Sequence, residues 1–325
     1  MALGQRFALL VLLSLGLPFF GTSAIAQSIS QQAPQDRTAA MKNPICVLPI
    51  GQTIDVKDLP GDLSEPKNWM GEIDSRKLVT QISIPATHDA GTALGTFGWS
   101  RCQVFTIPAQ LALGIRGFDI RLRLVNDVLS IYHGEESQRL KFEPILEAFR
   151  KFLSVHPSEF LVMRVREESS AIRSTQTFEA AFETAVNSCG FRRMFFHSKG
   201  RTDLPSVRSL RGKVLILDNY GKLPNAVDYP NPTMVVQDDY DQSDMEQKYE
   251  EIISNFTASV LSTNKSVWYV NYTSSCNLQV DQLLNAVRIN PRVEAYLRDR
   301  KGHLGLVFMN FPGIDVIQEI ISSNF

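Results

Sequence analysis

Short apolar runs recur along the chain, and most of them do not alternate between apolar and polar residues. Such runs are typical of strands that are buried on both faces of a parallel sheet. The eight runs are Leu78–Ile84, Gly117–Leu122, Val128–Tyr132, Phe160–Val165, Lys213–Leu217, Thr233–Gln237, Val267–Asn271 and Leu304–Met309.

Two of the intervening segments have the spacing of amphipathic helices. In Phe142–Val155 apolar side chains recur every three or four residues, Pro144 suits the first turn and Pro157 forces the end. The second segment is Ser174–Asn187. Strands that alternate with helices predict an α/β protein, here a single (β/α)8 barrel of TIM type.

One connection does not suit a regular barrel. The segment from Arg121 to Val128 is too short for a helical crossover, which needs roughly a dozen residues or more. Asn126-Asp127 is typical of a turn, so we expect the chain to fold back there. Arg121 and His133 should then lie close together in an irregular barrel.

The N-terminus has the pattern of a secretory signal. Arg6 precedes an apolar run from Phe7 to Phe20, and Ala24-Ile25-Ala26 fits the small-x-small cleavage pattern. We expect a signal peptide over 1–26, a flexible lead-in over 27–66 and one barrel domain over 67–325. The protein should therefore be secreted, to the extracellular space or the periplasm.

Charge and cysteine usage narrow the function only by exclusion. A net charge of −1 gives no field that would attract nucleic acid. The four cysteines lack the paired spacing of zinc sites; they are Cys46, Cys102, Cys189 and Cys276. Two alternatives remain for them: they form one or two disulfides, or they are buried free thiols.

Two of the five histidines, His88 and His133, stand on either side of Arg121 in the sequence. An imidazole can accept or deliver a proton near neutral pH, because its unperturbed pKa is about 6.5. A guanidinium supplies permanent positive charge in a planar fork that suits phosphate. This combination favours the cleavage of a phosphodiester bond without a metal.

Polar residues follow nearly every predicted strand, at the end where barrel enzymes build their sites. They are His88, Asp89, Arg121, His133, Arg166, Asp218, Asn219, Asp238, Tyr240, Tyr272 and Asn310. Each alone has a plain structural explanation, and Asp119 with Arg121 could be a salt bridge inside the barrel. Their common location favours a functional site.

Three phrases resemble the X domain of phosphatidylinositol-specific phospholipase C. They are Ile84-Pro-Ala-Thr-His-Asp89, Gly114-Ile-Arg-Gly-Phe-Asp-Ile-Arg121 and Ile131-Tyr-His-Gly134. Weaker similar pieces are Phe160-Leu-Val-Met163, Gly212-Lys-Val-Leu-Ile-Leu217, Val236-Gln-Asp-Asp-Tyr240 and Val307-Phe-Met-Asn-Phe311. In sequence order, these phrases and pieces extend from Ile84 to Phe311, over most of the chain.

The resemblance implies a role for each residue of the first three phrases. His88 would be the general base that activates the inositol 2-hydroxyl, and His133, assisted by Asp89, would protonate the departing diacylglycerol oxygen. Arg121 would stabilise the phosphoryl charge. An arginine would repel calcium, so the sequence resembles the metal-independent bacterial type, and we expect no cofactor and no metal.

The resemblance also implies the head-group contacts, with two departures. Asp119, Arg166, Asp238 and Tyr240 would line the inositol pocket, but Asn219 stands where an arginine is expected. Asn310 stands where an aspartate would support His88, so we expect a slower enzyme or one whose supporting charge comes from elsewhere.

The implied partner is phosphatidylinositol, and possible further substrates are glycosyl-phosphatidylinositol anchors at a membrane surface. Phe191–Phe196, with its flanking basic residues, and Phe97 with Trp99 are candidate docking segments. For Phe191–Phe196 the alternative is a core-packed helix end with solvated flanking charges. We expect a monomer without a stable protein partner. The alternatives are a weakly active or non-catalytic inositol- or phosphate-binding barrel, and a glycerophosphodiester phosphodiesterase, which would need acidic metal ligands.

Overall fold

The computed structural model describes residues 52–65, 68–96, 99–277 and 279–325. The expected signal peptide and most of the expected lead-in lie outside the described residues. Residues 52–65 of the expected lead-in are described. Ile54 is buried and pairs through its backbone with Val104 and Thr106, both at 2.9 Å, so this segment packs against the barrel.

Ten strands of the described residues form one sheet. They are β1 (Ser83–Thr87), β2 (Gly117–Val125), β3 (Val128–His133), β4 (Glu136–Lys141), β5 (Leu161–Glu167), β6 (Val214–Asp218), β7 (Val227–Asp228), β8 (Met234–Gln237), β9 (Trp268–Tyr272) and β10 (Gly305–Met309). The order is β7-β6-β5-β2-β1-β10-β9-β8, and neighbours on this path pair in parallel. Because β7 and β8 do not pair within the described part of the chain, the barrel is open there. The predicted irregular barrel is confirmed.

One predicted barrel strand is wrong. Val128–Tyr132 belongs to β3, which pairs antiparallel with the end of β2 and continues as a hairpin into β4. The predicted fold-back occurs, since Asn126 and Asp127 have positive φ values of 50° and 62° that suit a tight hairpin turn. The eighth barrel strand is β7 instead, and its two residues are too few to give a hydrophobic pattern.

Helices cover the outside of the sheet. They are Ile107–Leu113, Phe142–Val155, Phe178–Asn187, Val207–Leu210, Met245–Leu261, Gln282–Leu297 and Ile314–Ser322. The first predicted helix is confirmed at both ends, and its apolar stripe is buried. The second begins at Phe178 rather than Ser174, because the Thr177 side chain accepts a hydrogen bond from the Ala180 amide and caps it there.

The amino-terminal end of the barrel contains a buried ion pair. Arg116 precedes β2 and Glu159 precedes β5, and their side chains are fully buried with Nε and Oε2 2.8 Å apart. Arg116 also donates to the Leu111 carbonyl at 2.8 Å and lies over the Phe152 ring. This pair joins two strands at the end opposite the strand-end polar residues.

The register of β2 and β5 places charged residues side by side near the opposite end. Asp119 pairs with Arg164, and Arg121 pairs with Arg166. Alternate residues of a strand face the same side, so these four side chains share one face. This pairing brings cationic and anionic groups together inside the barrel.

Cys102 and Cys276 are free thiols. Cys46 lies outside the described residues, and so does the side chain of Cys189. Among the helices that the structure describes, none combines the length and apolar character that crossing a bilayer requires.

Candidate active site

His88 and Asn310 meet because their strands are neighbours in register. Thr87 of β1 pairs with Met309 of β10, so the next residues of both strands lie together. His88 Nδ1 is 2.8 Å from Asn310 Oδ1. Gln103 holds the two strand ends, because its Nε2 donates to the carbonyls of His88 at 2.7 Å and Met309 at 2.9 Å.

Arg121 contacts the other side of the His88 ring. Its Nη2 is 2.6 Å from His88 Nε2, and its Nε lies 2.9 Å from Asp89 Oδ1 and 3.0 Å from Asp119 Oδ2. A guanidinium only donates hydrogen bonds, so His88 Nε2 accepts here and carries no proton. Nδ1 then carries the proton and donates it to Asn310.

The surroundings of His88 keep the ring neutral. Burial lowers its pKa, the positive charge of Arg121 lowers it further, and the resulting pKa is about 4. The charge of Asp119 and the hydrogen bond to Asn310 oppose this shift without overcoming it. At neutral pH His88 is therefore in the form that a general base requires.

Asp89 lies between the two histidines. Its Oδ2 is 3.5 Å from His88 Nε2 and 3.7 Å from His133 Nε2, which comes from the end of β3. Burial raises the pKa of the Asp89 carboxyl above its usual value. A carboxyl with a raised pKa beside two imidazoles can exchange protons with either of them.

The backbone at Asp89 is strained. Its φ is 46°, in the left-handed region that a non-glycine residue rarely adopts. The Thr92 hydroxyl donates to the Asp89 carbonyl at 2.7 Å, and the Asp89 amide donates to Asp119 Oδ2 at 3.2 Å. These contacts aim the Asp89 carboxyl at the histidines, and such strain is typical of functional sites.

Asp119 is the anionic centre of the cluster. Its side chain is fully buried, Oδ2 contacts Arg121, and Oδ1 lies 2.5 Å from Arg164 Nη1. Burial alone would raise the pKa of Asp119, but the guanidinium groups of Arg121 and Arg164 hold it well below its usual range. The sequence suggested that Asp119 binds the head group, yet both of its oxygens are engaged by arginines.

The other predicted head-group residues occupy different depths. Asn219 lies inside, where its Oδ1 accepts from Arg164 and its Nδ2 donates to the Tyr229 carbonyl at 3.0 Å. Arg166 is at the mouth, with 43% of its side chain exposed and its Nε 3.6 Å from Glu168 Oε2. Asp238 and Tyr240 are exposed on the segment after β8. Of these residues, only Arg166, Asp238 and Tyr240 are open to a ligand that arrives from solvent.

Sequence reasoning missed Arg164 and Tyr229, whereas it named Tyr272 among the strand-end residues. Arg164 lies over the Tyr229 ring at 4.9 Å, and the Tyr229 and Tyr272 hydroxyls are 2.8 Å apart. The Tyr272 ring meets the edge of His88 at a centroid distance of 6.0 Å. A signal for Arg164 existed, since it interrupts an apolar run two residues before Arg166, on the same face of the strand.

One group in the described ranges has the spacing of metal ligands: His88, Asp89 and Cys102 offer atoms within 4.8 Å of one another. Arg121 already contacts His88 Nε2 and Asp89 Oδ1, and its charge would repel a cation there. Burial raises the pKa of the Cys102 thiol well above its usual value, so this sulfur stays protonated. These residues therefore do not fit a divalent metal.

The two candidate docking segments differ in exposure. Phe191, Met194 and Phe195 are buried in the core. Of the two alternatives for Phe191–Phe196, the core-packed helix end is therefore confirmed and the docking segment is wrong. Trp99 is 69% exposed beside the His88 loop, and Leu94 is 57% exposed. Phe97 lies outside the described residues.

The open parallel barrel and its histidine–arginine cluster define a phosphodiesterase-like α/β barrel. Residues 82–220 match the family model described as phosphatidylinositol-specific phospholipase C, X domain. The resemblance seen in the sequence is confirmed, and these residues carry it.

Two curated relatives support this assignment. The chain is 28% identical over 280 residues to the 1-phosphatidylinositol phosphodiesterase of Listeria monocytogenes, covering 79% of this chain and 85% of that protein. It is 27% identical over 298 residues to the protein of the same name from Staphylococcus aureus, covering 80% and 94%.

Solved structures of similar proteins share the fold. A mutant of phosphatidylinositol-specific phospholipase C from Staphylococcus aureus superposes with a TM-score of 0.72 at 24% identity, over 82% of this chain and all of that chain. The phosphatidylinositol-specific phospholipase C of Listeria monocytogenes gives 0.71 at 24% identity, over 79% and 98%. At this identity the likeness concerns the fold alone.

Proposed function

We propose that the protein is a phosphatidylinositol-specific phospholipase C. It cleaves phosphatidylinositol by phosphoryl transfer within the substrate, giving diacylglycerol and inositol 1,2-cyclic phosphate. The observation that carries this proposal is the geometry of His88, whose unprotonated Nε2 lies beside Arg121 and across Asp89 from His133. The names of the Listeria and Staphylococcus relatives agree with it.

His88 acts first, as the general base. It removes the proton from the inositol 2-hydroxyl, and that oxygen forms a new bond to phosphorus. Arg121 donates to His88 Nε2 in the free protein, and this nitrogen must be available for the hydroxyl. The substrate phosphate draws the guanidinium toward itself, because a bidentate contact to phosphate is stronger than one to a neutral imidazole.

His133 completes the transfer as the general acid. It gives a proton to the diacylglycerol oxygen as the bond from that oxygen to phosphorus breaks. Positioned acid and base groups each contribute roughly 10²- to 10⁴-fold to a rate. His88 is then protonated and His133 neutral, and Asp89, which lies within 3.7 Å of both, can return the proton.

Arg121 supplies the charge that other phosphodiesterases take from a metal ion. Negative charge grows on the phosphoryl oxygens in the transition state, and a fixed guanidinium in a water-poor site stabilises it. Asp89 and Asp119 hold its Nε, so Nη1 and, once it leaves His88, Nη2 can reach the phosphate. The reaction therefore proceeds without a cofactor.

The substrate is presented at a membrane surface. The exposed Leu94 and Trp99 follow the catalytic His88 on the same loop, and an indole ring suits the membrane interface. The N-terminal signal pattern supports a secreted protein, in the extracellular space or the periplasm. Glycosyl-phosphatidylinositol anchors contain the same phosphodiester bond and are a second substrate class to test. The chain acts as a monomer.

The decisive experiment is turnover of phosphatidylinositol vesicles in the presence of EDTA. We expect release of inositol 1,2-cyclic phosphate at an undiminished rate. Strict dependence on calcium would contradict the metal-free mechanism. Cleavage of deacylated glycerophosphoinositol to glycerophosphate, without turnover of phosphatidylinositol, would favour a glycerophosphodiesterase.

A further inference from the structure

Arg164 is a cation inside the barrel that the proposed reaction does not use. It lies in the middle of β5, its side chain is 7% exposed, and its neighbours Met163 and Val165 are buried. Its Nη1 donates to Asp119, its Nη2 donates to Asn219, and its Nε has no hydrogen-bond partner among the described residues. A buried guanidinium is costly to desolvate, so its presence requires a reason.

A continuous set of contacts joins Arg164 to the proposed base. Arg164 Nη1 is 2.5 Å from Asp119 Oδ1, and Asp119 Oδ2 is 3.0 Å from Arg121 Nε. Arg121 Nη2 is in turn 2.6 Å from His88 Nε2. Asp119 is thus held between two guanidinium groups, one of which contacts His88.

We propose that Arg164 is a positioning residue for the reaction proposed above, and that it holds Asp119 so that Arg121 remains free to engage the phosphate. This inference rests on the proposed function. Without Arg164, the Asp119 carboxylate would have Arg121 as its main cation and would draw it away from the phosphate. The Asp119 charge, no longer neutralised from β5, would also favour protonated His88.

A purely structural role predicts different behaviour. Arg164 stacks over Tyr229 and joins β2 to β6 through Asp119 and Asn219, so its loss would lower stability in either case. Packing alone would leave the protonation of His88 unchanged. The titration of His88 therefore separates the two roles.

The test compares Arg164→Met, Arg164→Lys, Asp119→Asn and the double variant Arg164→Met/Asp119→Asn. Hydrolysis of soluble inositol 1,2-cyclic phosphate gives kcat and KM against pH, and NMR follows the His88 ring.

For Arg164→Met we expect kcat to fall about 10²-fold, the loss typical of reacting groups misplaced by about 1 Å. The His88 titration should move upward from about 4 toward its ordinary value. Arg164→Lys should recover part of both changes and remain folded.

Asp119→Asn tests whether Arg164 acts through Asp119. In that background Arg164→Met should cost less than about 3-fold further, since coupled residues are not additive. The matched control is Arg123→Met, which removes an arginine of β2 with the same 7% exposure that lies against Tyr132 and Ser170 instead. It should leave the His88 titration unchanged.

Two results would overturn the inference. An unchanged His88 titration in both Arg164 variants, with only the melting temperature lowered, would mean a structural role. An equal rise in KM in the wild-type and Asp119→Asn backgrounds would mean direct head-group contact. If the wild-type protein turns over neither substrate, the proposed function fails, while the NMR titration still decides whether Arg164 controls His88.

Discussion

Asn310 Oδ1 lies 2.8 Å from His88 Nδ1, on the side of the ring opposite Arg121. This contact orients the imidazole so that Nε2 faces the cluster. The amide is neutral, so it cannot stabilise the imidazolium that forms when His88 accepts a proton. Asn310 Nδ2 is buried without a hydrogen-bond partner among the described residues. The site therefore holds the base in place with little support for its charged form.

Replacing Asn310 with Asp should strengthen the base. A carboxylate at this distance favours the protonated ring, so the acid limb of kcat/KM should move from about pH 4 toward pH 6 and the rate should rise. We expect a gain of about 10- to 100-fold, below the roughly 10⁴-fold effect known where the amide also imposes the wrong tautomer. Rates on a soluble short-chain phosphatidylinositol, which carries the free 2-hydroxyl, from pH 3 to 9 would measure this. Asn310→Leu, which cannot accept a hydrogen bond, is the control and should be slower. An unchanged or lower rate for the Asp variant would contradict the prediction that a carboxylate at this position strengthens His88 as a base.

His133 distinguishes an enzyme from a binding barrel. The variant His133→Gln removes the proposed acid, so product release from phosphatidylinositol should fall by about 10²- to 10⁴-fold. Affinity for an inositol phosphate, measured by calorimetry, should change by less than about 3-fold, since His133 acts in the transition state. His197→Gln, at an exposed histidine, serves as the control and should retain full activity. A binding module would instead show no turnover in the wild-type protein and unaltered affinity in both variants.

The buried His88 should make stability depend on pH. Its folded pKa is about 4, whereas an unfolded histidine titrates near 6.5, so the unfolded state binds more protons between these values. The free energy of unfolding should fall as pH drops from about 6.5 to about 4, by up to roughly 3 kcal/mol. Urea unfolding at several pH values would measure this for the wild type and for His88→Gln. The difference between them isolates His88, because the remaining histidines are common to both. Parallel curves would mean that His88 is not held neutral.

Much of the barrel and the cluster could be predicted from the sequence. The barrel strands with apolar runs were found because burial on both faces leaves a continuous signal, and β7 was missed because two residues leave none. His88 was found because strand ends gather in one place in a barrel, whereas Arg121 lies inside β2 and His133 comes from the β3 hairpin. Their geometry depends on tertiary contacts, which the sequence does not contain.

The errors have similar physical causes. Phe191–Phe196 combines apolar and basic residues, and composition cannot tell which of them face the core. The head-group role of Asp119 stays a prediction, and the sequence did not show that the register of β2 and β5 places Arg164 on one of its oxygens. Long-range pairing decides both cases.

The ion pair of Arg116 and Glu159 should be important for stability. Glu159→Ala leaves the Arg116 guanidinium buried without its anionic partner, so we expect a loss of about 3–5 kcal/mol in the free energy of unfolding. Glu147→Ala is the matched control, because its pair with Arg150 is about half exposed and should contribute less than about 1 kcal/mol. Denaturant unfolding at neutral pH compares the two. Equal losses would show that burial does not set the contribution of the pair.

Trp99 should matter only when the substrate is in a membrane. Its side chain is 69% exposed beside the His88 loop, at the end of the barrel where the substrate enters. Trp99→Ala should lower activity on phosphatidylinositol vesicles by about 10-fold, since a lost indole weakens interfacial binding by roughly 1–2 kcal/mol. Hydrolysis of soluble inositol cyclic phosphate should be unaffected. Leu261→Ala, at an exposed apolar side chain that precedes β9 at the opposite end of the barrel, controls for the loss of surface apolar area and should change neither rate. Equal losses on vesicles and on soluble substrate for Trp99→Ala would mean that Trp99 shapes the active site and does not bind the membrane.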